Sequence, residues 1–106
     1  MTITEPCYGL NAVGDVFGGY YFEYATVIEA MNLSCTDAPV GTALTVDLIN
    51  DAAAEQGAVG TLAIGALKQR TALALSVTAG TTLRCKALTV PSNTPFPFTV
   101  KLTARQ

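Results

Sequence analysis

Apolar and polar residues alternate with period two along most of this chain, and that alternation restricts it to half-buried β-strands. The clearest case is Ala38-Pro39-Val40-Gly41 followed by Leu44 to Asp51. There a Pro/Gly turn feeds a strand whose Leu44, Val46 and Leu48 alternate with Thr45, Asp47 and Ile49. One face of that strand should be buried, and the other largely polar. The same phase recurs in Met31/Leu33/Cys35, in Leu73/Leu75/Val77 and in Phe98/Val100/Leu102/Ala104. Helical spacing is scarce.

A chain of 106 residues fits one domain and can bury enough surface to stand without metal or disulfide staples. Seven or eight short strands with turn residues between them predict an all-β, two-sheet antiparallel β-sandwich, of jelly-roll or immunoglobulin-like kind. Residues 1–19 read as an N-terminal arm punctuated by Pro6, Gly9, Gly14, Gly18 and Gly19, which either packs as an edge strand or reaches a neighbour. Residues 20–106 form the sandwich domain. It opens with the aromatic strand Tyr20-Tyr21-Phe22-Glu23-Tyr24, with Tyr20, Phe22 and Tyr24 on one face. Ile28 and Met31 both belong inside although they are out of phase, which predicts a bulge or strand change near Glu29. Asp51 to Glu55 has the composition of one helical turn, Leu67 to Arg70 reads as a polar connection, and Pro91 to Pro97 reads as a rigid exposed loop barred from a central strand.

Only 13% of residues are charged, about half the usual share, which suggests surface hidden in contacts with other subunits. All eight acidic residues precede all six basic ones, so a segment of −8 is followed by one of +6. Either these charges neutralise each other within the fold, or they form complementary faces on neighbouring copies. Six scattered cations with a net charge of −2 make no basic stripe for nucleic acid. Met1 to Pro6 lacks the basic and apolar regions of a secretory signal, and no uncharged window is long enough to span a membrane. Synthesis in the cytoplasm follows, and with it reduced thiols for Cys7, Cys35 and Cys85. Cys35 and Cys85 fall at inward phases and are expected to be buried and unbridged.

Histidine, the commonest general acid or base, is absent. Asp47 and Asp51 stand about 13 Å apart on an extended strand, too far for either glycosidase geometry. Asp47, Asn50 and Asp51 offer oxygens, but without the alternating acidic spacing of a calcium loop they read as a solvated strand end. No catalytic constellation, metal site or cofactor site is expected.

The order of motifs resembles a small β-sandwich module of tailed-bacteriophage virion proteins, found in tail fibres and as stand-alone head proteins. The motifs are Ala38-Pro39-Val40-Gly41, Leu44-Thr45-Val46-Asp47-Leu48-Ile49-Asn50, Gly60-Thr61-Leu62-Ala63-Ile64, Ala79-Gly80-Thr81-Thr82-Leu83 and Phe98 to Arg105. They cover roughly Tyr20 to Arg105, with Asn50-Asp51 and a longer insertion standing where the module has an Asn-Gly hairpin. The resemblance implies a non-enzymatic structural protein of the virion. The short chain favours a capsid cement (decoration) protein: a homo-oligomer, expected as a trimer, bridging major capsid subunits on the head surface. The alternative is a receptor- or glycan-binding module of a tail fibre or tail tip. On either reading, the expected interface residues are Pro6, Tyr8 and Leu10 of the arm, Tyr20 and Tyr21 of the aromatic strand, and Pro95 and Phe96 of the proline loop.

Overall fold

The period-two segments fold into eight strands and no helix, in a computed structural model that describes Met1–Gln106. In chain order they are β1 (Thr2–Leu10), β2 (Val16–Phe22), β3 (Thr26–Ser34), β4 (Leu44–Ile49), β5 (Gly60–Leu62), β6 (Lys68–Val77), β7 (Thr81–Thr89) and β8 (Phe96–Arg105). They form two four-stranded antiparallel sheets, ordered β1-β8-β3-β6 and β2-β7-β4-β5. Nearly every connection crosses from one sheet to the other, and this strand order is that of a jelly roll. The order also sets the sides of the sandwich: β1 and β2 are edge strands along one long side, β6 and β5 along the opposite one.

The inward residues of both sheets merge into one cluster of 21 buried side chains, among them Leu10, Phe22, Ile28, Met31, Leu33, Leu44, Val46, Leu48, Leu62, Phe96 and Val100. The sheets also meet through Phe17 of β2, whose ring stands edge-on to Phe98 of β8 at 5.2 Å. Gly60 of β5 lies directly over Met31 of β3, and a β-carbon at this glycine would overlap the Met31 sulfur. The glycine in the Gly60-Thr61-Leu62 motif is therefore set by a close approach between the sheets. A turn does not require it there.

The expected phase slip in β3 is a bulge. Register shifts between Ile28 and Ala30 against both β6 and β8, which lets Ile28, Ala30 and Met31 all be buried.

Four expectations need correction. Asp51 to Glu55 is a tight turn without a helix, with Ala53 at φ 59° and Asn50 Oδ1 accepting the N–H groups of Ala52 and Ala54. Lys68 to Arg70 is no connection but the start of β6, paired with Ser34, Leu33 and Asn32. In the proline segment Pro91 and Phe96 are buried, and Phe96 and Pro97 already belong to β8. Pro97 is tolerated there because pairing with β3 begins only at Thr99 and the β1 ladder is irregular between Cys7 and Leu10. The polar face of β4 is covered as well. The segment after Asn50 folds back along β4 and buries Asp47 and Ile49, the latter bridged to Glu55.

Residues 1–19, read as an arm, contain β1 and the start of β2, and β1 takes the edge-strand option. It pairs with β8 from Thr2↔Thr103 to Leu10↔Phe96 and places Ile3, Cys7 and Leu10 in the core. Pro6 fits because an edge strand does not need every N–H for its ladder.

Candidate functional site

The structure divides the expected interface residues into a buried pair and two surface groups. Leu10 and Phe96 face each other across β1 and β8, 1% and 0% exposed. They are core residues, because the register shift between Cys7 and Leu10 reverses the phase of β1, so that Leu10 turns inward with Ile3 and Cys7 although strict alternation would leave it outward with Pro6 and Tyr8. Pro6, Tyr8 and Pro95 lie at the surface. Pro6 and Tyr8 line a shallow groove with Pro97 and Thr99 of β8 and with Ser34 and Cys35. Pro95 sits against Gly9 beside them. Tyr8 is 89% exposed.

Tyr20 and Tyr21 are at the other end of the same side. With Tyr24, Glu23, Met1 and Gln106 they surround a second concavity. Tyr20 leans edge-on against buried Phe22, ring centres 4.9 Å apart, so its ring is fixed by the core while part of it stays wet. Tyr21 and Tyr24 are exposed. Met1 anchors this end through its ammonium, which donates to the Ala104 carbonyl at 2.7 Å. The two groups are separated by most of the length of β1, about 20 Å at 3.4 Å per residue.

Seven of the ten large apolar side chains that remain exposed belong to the first 24 residues: Met1, Tyr8, Val13, Val16, Tyr20, Tyr21 and Tyr24. The contribution of Val13 and Val16 was not legible from the sequence, where they look like ordinary strand residues. The β1/β2 side is thus aromatic and apolar at both ends, and its middle is closed by Glu5, whose carboxylate packs against the positive-φ Gly18 of the β2 bulge.

The polar residues weighed for calcium are occupied by the backbone. Asp47 is 2% exposed; its Oδ1 accepts from Leu48 N at 2.7 Å and Ala58 N at 2.9 Å, and its Oδ2 from Gly57 N at 3.2 Å. The carboxylate stands in for a β-strand partner where the chain leaves β4. Asp51 caps Thr82 N at 3.1 Å. No group of three His, Cys, Asp or Glu side chains is placed to hold a metal ion.

All three cysteines are free. Burial, with a smaller contribution from Glu5 and Cys7, pushes the Cys85 thiol up to about 12. Burial also raises Cys7, and burial and then Asp37 raise Cys35. Cys85 is buried as expected. Cys35 is only half-buried, lying one residue past β3 with its Sγ 3.6 Å from the Ala66 carbonyl.

Internal neutralisation accounts for two ion pairs, Lys86–Glu55 at 3.0 Å and Arg105–Glu29 at 3.2 Å. Lys68, Arg70, Arg84 and Lys101 have no carboxylate within bonding reach. Comparison with family models, curated proteins and solved structures finds no match to this chain.

Proposed function

We propose that this chain is a non-enzymatic virion structural protein, a capsid cement that oligomerises, as a trimer, and bridges major capsid subunits on the head. The observation that carries this reading is the concentration of exposed aromatic and apolar side chains along the β1/β2 side. Exposed aromatic clusters such as the two at the ends of this side mark protein contact surfaces, and tyrosine is enriched there because it offers apolar area and a hydroxyl at little entropic cost. The order of sequence motifs supports the virion assignment. Attachment of several linked copies would make each later contact intramolecular and multiply a modest single-copy affinity.

The Tyr20/Tyr21/Tyr24 concavity favours a second reading, a tail-tip module that stacks a sugar ring on tyrosine. The jelly-roll fold agrees with both, since capsid and lectin domains share it, and so does not choose between them.

Adding the purified chain back to heads of the encoding phage stripped of it tests the proposal. Saturable binding to heads is the expected result. Retention on tail tips together with binding to a glycan array supports the second reading, and binding to neither particle contradicts both.

A further inference from the structure

The opposite side of the sandwich carries a different feature. Of the four edge strands, three are blunted in ways that stop further strands from adding. β1 contains Pro6, β2 is kinked by the bulge between Phe17 and Tyr20, and β5 is three residues long. The N–H groups of Thr61 in β5 and of the following Ala63 are moreover taken by side chains of β6, Thr71 Oγ1 at 3.4 Å and Gln69 Oε1 at 2.9 Å. The fourth edge, β6, is ten residues long and has neither proline nor glycine. It pairs with β3 alone, and none of the backbone hydrogen bonds outside the ladders involves residues 68–77. Its stretch Thr71 to Val77 has no charge at all.

Charge is concentrated at one end of this edge. Lys68 and Arg70 point outward from β6 and pair in register with Ser34 and Asn32 of β3, and Asn32 pairs on its far side with Lys101 of β8. Three cations therefore share one patch of the outer sheet face, around a shallow depression also lined by Gln69. None of the three is ion-paired. On the inner face of the same strand Leu73 and Leu75 are half-buried against the core.

We infer that β6 accepts an extended segment of a different protein as a fifth strand, antiparallel to it. That segment would carry acidic residues at the two outward positions opposite Lys68 and Arg70, and apolar residues inward opposite Leu73 and Leu75. Main-chain bonds to the open edge supply the attachment, and the side chains supply register and choice of partner. Lys68 and Arg70 lie two residues apart on one face, about 7 Å, which is the spacing of alternate carboxylates on an extended chain. A second copy of β6 would bring no negative charge to them, so charge complementarity selects a foreign strand over self-pairing. The inference is independent of whether the chain sits on a virion.

The test uses the full chain and a fluorescent peptide, Val-Thr-Val-Thr-Val-Thr-Val-Glu-Thr-Glu, whose glutamates fall opposite Arg70 and Lys68 when its first residue faces Val77. Saturable binding is expected, with new amide protection from hydrogen exchange confined to β6. The exposed double variant Lys68→Glu/Arg70→Glu should bind it about tenfold more weakly, and a peptide with lysine in place of glutamate should recover that loss. Equal binding of both peptides to both proteins, no binding at all, or protection at the β1/β2 side instead would overturn the inference. So would self-association of the free chain that Ala74→Pro abolishes, because β6 would then be taken by a second copy.

Discussion

Single residues set the local limits of this fold, and Asp47 is the most consequential of them. Its carboxylate is the only acceptor given to the N–H groups of Gly57 and Ala58. Asp47→Ala should therefore cost about 3 kcal/mol in chemical denaturation, because two backbone donors are left dry or exposed to strain. Asp47→Asn should cost less, since the amide oxygen keeps one acceptor. Cys85 gives a pH signature. Its thiol titrates near 12 when folded and near its ordinary value of about 9 when unfolded, so the folded state holds the proton more tightly. The resulting stabilisation is complete below about pH 9 and is lost as pH rises through the folded value. Melting temperature should fall over that alkaline range, and Cys85→Ala should flatten the fall. With a thiol reagent at neutral pH, half-buried Cys35 should react first, and Cys7 and Cys85 only on unfolding.

At the scale of elements, strand interiors were legible in the sequence and strand ends were not. Leu44/Val46/Leu48 and Phe98/Val100/Leu102 fall inward as their period predicts, and the bulge in β3 follows from Ile28 and Met31 both being too apolar for the surface. β6 begins four residues before its apolar run, because Lys68 to Thr71 are ordered by pairing with β3, which local sequence does not encode. The same holds for the candidate site. Exposure of Tyr8 and Tyr21 could be read from phase, but burial of Leu10 and Phe96 depends on β1 joining β8 at a separation of 86 residues along the chain. Deleting Met1 to Leu10 should accordingly abolish the cooperative thermal transition, since Ile3, Cys7 and Leu10 leave the core and β8 loses a neighbour. Gly60→Ala should destabilise by about 2 kcal/mol through collision with Met31. The double variant Gly60→Ala/Met31→Ala should lose less than the sum of its parts, the coupling expected of residues in contact.

For the whole molecule, the two long sides of the sandwich differ in chemistry. The β1/β2 side is apolar and aromatic, and the β6 side is open and basic at one end. Such asymmetry fits a module that bridges unlike neighbours, one side packing on a surface and the other holding an extended strand. On the proposed function, the β1/β2 side is the one that attaches the protein. Add-back of Tyr8→Ser/Tyr21→Ser to stripped heads measures it most directly, because both side chains are exposed and the fold does not depend on them. The variant should keep the melting temperature of the parent chain and bind heads at least about tenfold more weakly, the loss of two aromatic contacts. Undiminished saturation of the heads by this variant would contradict the claim.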